Sequence, residues 1–230
     1  MLVRFSIENF RSFYGKQIFS MAAGNTTRFK NHLISFNDNK ILKGSVFFGA
    51  NASGKSNLIK AIDFGKKVVL NGIKPSLIFG NNFRVDENAL KKPGVFQYDF
   101  ISNNHIYSYG FAISYEKNIF LEEWLYLCDN NKEKLVFSRT LGQEIYTELD
   151  FKQSENSQRF NIYANDVNDN KSFISEIIEH KLNDIPEFSP FFDTYKWFSL
   201  LFIIFPQSRY TNLRRFMANS GLASFENLLH

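Results

Sequence analysis

The chain has little of what many function classes require. A single cysteine, Cys128, among 230 residues excludes an intrachain disulfide framework and fits a reducing cytosol. The N-terminal stretch from Met1 to Phe13 contains no apolar stretch of the signal-peptide kind. The longest apolar run, residues 197–205, falls far short of the ~20 residues a membrane span needs. A cytoplasmic location without membrane contact is therefore expected. Histidine is scarce, and His32, His105, His180 and His230 share no metal-ligand spacing with one another or with Cys128. Excess charge is small: 27 Lys and Arg against 23 Asp and Glu leave a net +4, which permits contact with nucleotide or nucleic acid but does not argue for it. No internal repeat or coiled-coil heptad appears. What the chain does have is phenylalanine, 27 of them, within a hydrophobic share of 44 % and a charged share of 22 %. That is the composition of a globular protein with a Phe-rich core, long enough for one domain or two small ones.

Against this plain background one run stands out. Gly49, Gly54, Lys55 and Ser56 fill every fixed position of the phosphate-binding pattern G-x-x-x-x-G-K-S/T. The glycines let backbone N–H groups turn inward around a phosphate chain. The Lys55 ammonium is expected to reach the β- and γ-phosphates, and the Ser56 hydroxyl to hold Mg²⁺. A helix starting near Gly54 would add its N-terminal dipole to the same anion site. The context agrees with the motif. Residues 44–48 read as a short buried strand, and Leu58, Ile59, Ala61, Ile62, Val68 and Val69 recur at helical spacing beyond it.

The rest of the chain divides by pattern. Residues 3–7 alternate as a strand, residues 9–13 turn, and residues 16–21 form a second strand. Residues 22–40 are polar and read as a loop, and residues 71–93 as a connection. Residues 95–101, 105–113, 119–128 and 134–138 form an antiparallel meander, separated by turn signals such as Ser102-Asn103-Asn104. One more pair of strands is expected near residues 144–149 and 159–163. Residues 173–182 read as a helix, and residues 194–205 as an apolar segment of undetermined type.

An N-terminal strand, then Asn9-Phe10-Arg11-Ser12-Phe13, then a P-loop followed by Leu58-Ile59-Lys60-Ala61-Ile62, resembles the ABC-type ATPases of the SMC, RecF and OLD kinds. Tyr107-Ser108-Tyr109-Gly110-Phe111, Glu122-Glu123-Trp124-Leu125-Tyr126, Leu135-Val136-Phe137-Ser138-Arg139 and Lys171-Ser172-Phe173-Ile174-Ser175 resemble the bacterial AAA-type ATP-binding proteins of abortive infection and phage defence. The resemblance implies an α/β P-loop NTPase fold. It would be an ABC-type N-terminal lobe, with a mixed sheet around the P-loop helix and an antiparallel β subdomain. Residues 1–70 would hold the N-terminal strands and P-loop core, 71–170 the β subdomain, and 171–230 a helical segment leading to a C-terminal ATPase half.

Carried over residue by residue, the resemblance places Gly49, Ala50, Asn51, Ala52, Ser53, Gly54, Lys55, Ser56 and Asn57 on ATP and its Mg²⁺, with Lys55 in the catalytic role. Arg11 and Ser12 fall on a segment close to the nucleotide; an arginine capping a turn at the sheet edge is the structural alternative for Arg11. The hydrolytic companions of such a site are not legible. The only Asp-Glu pair, Asp86-Glu87, follows Arg84-Val85 in a polar connection rather than an apolar strand. The run Leu200-Leu201-Phe202-Ile203-Ile204-Phe205 ends in Pro206-Gln207-Ser208, and Gly221-Leu222-Ala223-Ser224 is too sparse for a signature motif. No glutamine is assignable between the lobes: Glu179 and His180 stand where one is expected, and Gln97 lies inside a strand. The expected protein is thus one part of a larger ATPase, a fragment or one half of a split enzyme. It would act as a nucleotide-driven switch in anti-phage defence, dimerising or assembling further through an ATP sandwich. A nuclease or toxin is the expected partner, and DNA is a candidate through basic pairs such as Lys66-Lys67, Lys91-Lys92 and Arg214-Arg215. The alternatives are a non-catalytic interaction module on a P-loop scaffold and an SMC/RecF-like DNA-associated ATPase.

Overall fold

Where apolar and polar residues alternate, a strand sends every second side chain to one sheet face, and the meander does this over four long strands. The computed structural model describes residues 1–24, 29–37, 39–129, 132–182 and 184–204. Its strands are β1 (Leu2–Glu8), β2 (Gln17–Ser20), β3 (Leu33–Phe36), β4 (Asn39–Leu42), β5 (Gly94–Ser102), β6 (His105–Ser114), β7 (Ile119–Asp129) and β8 (Lys132–Thr140). Its helices are α1 (Lys55–Asn71), α2 (Pro75–Ile78), α3 (Ser154–Asp166), α4 (Phe173–Glu179) and α5 (Ser189–Leu200). A six-stranded sheet runs in the order β2-β1-β5-β6-β7-β8, and β3 and β4 form a separate hairpin. The first strand is therefore inserted between β2 and the meander, with Phe5 opposite Phe19 on one side and Tyr98 on the other.

One face of the sheet is the core. Phe5, Ile7, Phe96, Tyr98, Phe100, Tyr107, Tyr109 and Phe111 are almost wholly buried there, beneath Ala61, Phe64 and Val68 of α1, Phe173 and Ile177 of α4, and Phe191 and Phe198 of α5. The phenylalanine content finds its use here. Rings stack at Phe96–Phe111, Phe100–Trp197 and Phe137–Phe191, with centroids 5.2, 4.3 and 5.4 Å apart. α1 comes so near the sheet that a Cβ on Gly65 would fall 1.9 Å from the Tyr98 hydroxyl. That hydroxyl donates to the Ile62 carbonyl at 3.2 Å.

Polar groups anchor α4. Ser172 caps it by accepting from the Ser175 amide (3.1 Å), and both serine hydroxyls donate to the Val69 carbonyl of α1 at 2.8 and 2.6 Å. Glu123 of β7, wholly buried, accepts from the Phe173 amide at 2.8 Å and from the Tyr109 hydroxyl at 2.8 Å. The Arg139 guanidinium lies 3.7 Å away. Burial pushes the Glu123 carboxyl up from its ordinary range; Arg139, the Phe173 amide and Tyr109 oppose it.

Several expectations change. Residues 44–48 form no strand: Val46 and Phe48 are 73 % and 90 % exposed, and no main-chain hydrogen bond joins these residues to the described chain. Every described strand pair is antiparallel, so the parallel component of a mixed sheet is absent from the described residues. The reason is pairing, since a P-loop strand is buried only between neighbours, and β4 beside it in sequence pairs with β3 and bonds residues 21–23 instead. Residues 159–163 lie in α3, not a strand, because Phe160, Tyr163, Ala164 and Val167 repeat at helical spacing and pack on the core. Residues 144–149 supply only an isolated bridge, Ser138 to Tyr146. The loop expected over 22–40 contains β3 and the start of β4. The apolar segment near 194 is the end of α5, which begins at Ser189 with Pro190 in its first turn. The expected helix from 173 stops at Glu179.

Candidate nucleotide site

A loop becomes an anion site when its amides point outward unbonded and a helix starts behind them. Residues 49–56 meet that condition. Gly54, at φ 93°, is the left-handed N-cap of α1, and Ala52 is also left-handed at φ 64°. Ser53 N–H donates to the Ala50 carbonyl (3.3 Å), and Asn57 and Leu58 N–H donate to the Gly54 carbonyl (2.9 and 3.1 Å). The amides of Asn51, Ala52, Gly54, Lys55 and Ser56 have no main-chain acceptor among the described residues. A Cβ on Gly49 would stand 2.9 Å from Ser53 Oγ, so a side chain there would displace that hydroxyl. The Lys55 ammonium donates to the carbonyls of Gly49 and Ala50, each at 2.6 Å, and to Ser53 Oγ at 3.2 Å. It therefore sits inside the curve of the loop whose amides are free. The Ser56 hydroxyl has no hydrogen-bond partner among the described residues and is chemically suited to a hard cation. This donor set fits a nucleotide polyphosphate with Mg²⁺.

The structure brings Ser12 to this loop, while Arg11 turns to Asn81. Asn57 Nδ2 donates to Ser12 Oγ at 3.0 Å, and Ser12 Oγ is 3.2 Å from where a Gly54 Cβ would lie. Arg11 is left-handed at φ 49°, a costly backbone state for a residue with a Cβ. Its amide donates to the Asn81 carbonyl at 2.8 Å and its Nε to Asn81 Oδ1 at 2.7 Å. Arg11 thus braces a neighbouring turn, one residue from the Ser12–Asn57 contact.

Asn9 and Asn81, to which the sequence reading gave no role, brace the turn that carries Arg11 and Ser12. Asn9 is 2 % exposed and left-handed. Its Nδ2 donates to the carbonyls of Ala89 and Lys92 at 2.7 and 2.9 Å, and its Oδ1 accepts from the Phe83 amide at 3.1 Å. The Tyr115 hydroxyl donates to the Asn9 carbonyl at 2.6 Å. Asn9 is the pin that holds the 9–13 turn against the 77–93 connection. The one available signal was an asparagine in a tight turn, where left-handed geometry is tolerated.

The other sequence candidates have structural partners. Asp86 caps the short turn Glu87–Leu90 by accepting from the Asn88 amide at 2.9 Å and pairs with Lys92 at 3.3 Å. The Asn88 amide, then the Tyr14 hydroxyl and Lys92, hold its carboxyl below the usual range. Gln97 donates to Asp99 and Ser108 at 3.1 and 3.0 Å within the sheet. Glu179 pairs with Lys171 at 2.7 Å, and His180 bonds Glu176 at 2.9 Å while stacking on Tyr163. No cluster that could hold a metal through His, Cys, Asp or Glu exists among the described residues. Residues 205–230, with Arg214-Arg215 and Gly221-Leu222-Ala223-Ser224, lie outside the described residues. No described helix is long and apolar enough to cross a membrane.

Comparison with known proteins agrees with this geometry. A search of the curated proteins found no match. The family model described as "AAA domain, putative AbiEii toxin, Type IV TA system" matches residues 45–220, well over half of the chain, and its span contains the whole P-loop. The α/β fold and the amide-lined loop are those of a nucleotide-binding P-loop ATPase, and the chain belongs to this AAA-domain family.

Proposed function

We propose that the chain is the ATP-binding lobe of an ABC-type ATPase that serves as a nucleotide-driven switch in a bacterial anti-phage system. The observation that carries this reading is the set of free amides at Asn51, Ala52, Gly54, Lys55 and Ser56, packed beside the 9–13 turn at the start of α1. When bound, ATP supplies binding energy for closure and a phosphoanhydride for hydrolysis. The chain's own residues have defined tasks. The loop amides and the α1 N-terminus bind phosphate oxygens, Lys55 neutralises them, Ser56 offers its hydroxyl to Mg²⁺, and Ser12 and Asn57 fix the loop's flank. The nucleotide would lie between two protomers, its binding shifting the population toward the closed pair. A nuclease or toxin would be the gated partner. The exposed Val46–Phe48 segment would then offer its free edge to an added strand.

Calorimetric titration with Mg·ATP tests the reading. Wild type should bind, and Lys55→Ala should bind at least ~10-fold more weakly, since one charge-assisted phosphate contact is worth about 1.5–3 kcal/mol. Equal binding by both would remove Lys55 from the site, and absence of binding by wild type would remove the site itself.

A further inference from the structure

The sheet has a second face, opposite the core, and cross-strand register sets its rows. Arg4 of β1 stands opposite Asp99 of β5, Asp99 opposite Ser108 of β6, and Ser108 opposite Tyr126 of β7. In the next row Gln97 meets Gly110, and Gly110 meets Trp124. On the other side Cys128 stands opposite Glu133 of β8. Alternate residues of a strand share a face, so Trp124, Tyr126 and Cys128 line up along β7. All of these but Gly110, with Asn39 and Ile41 of the β3–β4 hairpin, line an open hollow of about 500 Å³.

The two sides of this hollow differ. On the β1–β5 side the polar groups satisfy one another. The buried Asp99 carboxylate accepts from Arg4 Nε, from Gln97 at 3.1 Å and from Ser108 at 2.8 Å, so Arg4 and Asp99 together bring no net charge. On the β7–β8 side the Glu133 carboxylate is exposed and has no hydrogen bond or ion pair among the described residues. The Trp124 Nε1 and the Tyr126 hydroxyl have no hydrogen-bond partner among the described residues either, and no cation of these residues lies over their rings. Both rings are half-buried. The indole fills the space of a side chain at position 110, where a Cβ would fall 2.4 Å from it. Burial, and after it Glu133, Asp99 and Asp129, push the Cys128 thiol up to about 11, so it adds no charge near neutral pH. The hollow thus holds one uncompensated carboxylate beside two aromatic rings. Aromatic faces attract a cation, and a carboxylate neutralises it. A guanidinium suits this set better than an ammonium, because it is planar, stacks on rings and forks a carboxylate. A nucleic acid suits it poorly, since its phosphates would meet Glu133.

We propose that this outer-face hollow receives an arginine side chain of a partner protein, its guanidinium against the Trp124 and Tyr126 rings and paired with the Glu133 carboxylate. Asn39, Gln97 and Ser108 give the aromatic centre a polar rim, the layout of a protein interface. The hollow lies across the sheet from α1, so the proposal does not rest on the nucleotide reading. Glu133 makes no contact on which the fold depends, and its replacement leaves the fold intact.

Of the two tryptophans, Trp197 is buried against Phe100, so Trp124 reports on the hollow. The test is tryptophan fluorescence of the full chain, titrated with a capped glycine peptide carrying one central arginine and with its neutral counterpart carrying citrulline. The arginine peptide should give wild type a saturable change with half-effect in the ~1 mM range, absent from Trp124→Phe. The citrulline peptide on wild type, and the arginine peptide on Glu133→Gln, should bind at least ~10-fold more weakly. Added salt should weaken the arginine peptide on wild type more than on Glu133→Gln. No change with the arginine peptide overturns the proposal. So does equal binding of the citrulline peptide, or a Glu133→Gln variant that binds as wild type does. Adenosine that displaces the arginine peptide would assign the hollow to a base and overturn it as well.

Discussion

At the scale of single residues, contacts across the fold set what each position tolerates. Gly65 sits inside α1, where alanine would ordinarily gain about 1 kcal/mol of helix propensity. The Tyr98 hydroxyl, 1.9 Å from the site of the missing methyl, reverses that sign. Gly65→Ala should destabilise the chain by about 1–3 kcal/mol in urea denaturation, the usual range for overpacking. Gly65→Ala with Tyr98→Phe should recover part of the loss, because the clashing oxygen is gone; a stabilising single variant would refute the close approach. Nothing near residue 65 in the sequence announces this, since the partner is on β5. The P-loop residues are the opposite case. Gly49, Gly54, Lys55 and Ser56 were legible because their chemistry is contiguous: the loop's curve depends on neighbouring dihedrals and on a side chain that bonds carbonyls five and six positions back.

At the scale of elements, helices are held to the sheet by buried polar groups as well as by rings. Glu123 joins β7 to the N-terminus of α4, accepting from the Phe173 amide and the Tyr109 hydroxyl, with the Arg139 guanidinium as its ion-pair partner. Glu123→Ala leaves the Arg139 guanidinium, 6 % exposed, without its buried carboxylate. A loss of about 3–5 kcal/mol is expected in chemical denaturation, with α4 losing amide-exchange protection first. A loss below about 1 kcal/mol, within the ordinary spread of single substitutions, would show that the carboxylate is dispensable. The segments Glu122-Glu123-Trp124 and Lys171-Ser172-Phe173, recognised separately as landmarks, turn out to be the two sides of this junction. The meander strands were legible from alternation and turn residues. α3 was misread as a strand because its short Arg159–Tyr163 window hides a stripe that becomes visible only over residues 160–167.

At the scale of the whole molecule, the sheet and its helices leave the segment around Val46 and Phe48 without cover among the described residues. Val46 and Phe48 project from an extended stretch with free main-chain groups, a ready template for strand addition. Phe47, between them, rests its ring 5.1 Å from Phe19. Phe48→Thr should leave the urea midpoint unchanged, within about 0.5 kcal/mol, because little is packed against the ring. It should reduce concentration-dependent association in light scattering. A marked fall in stability would mean that Phe48 is buried in solution.

Taken by itself, the sequence determined the phosphate loop, the meander and the helix behind the loop, all of which follow from residues within one turn or one strand of each other. Only the tertiary structure decided which distant groups meet. Arg11 meets Asn81 across 70 positions and Glu123 meets Phe173 across 50. Asn9 pins residues 74 to 84 positions away. No local pattern encodes such meetings, because they arise from sheet order and helix docking. For the same reason the residues expected to form a P-loop strand stand exposed: a strand exists only where a neighbour supplies the other half of its hydrogen bonds.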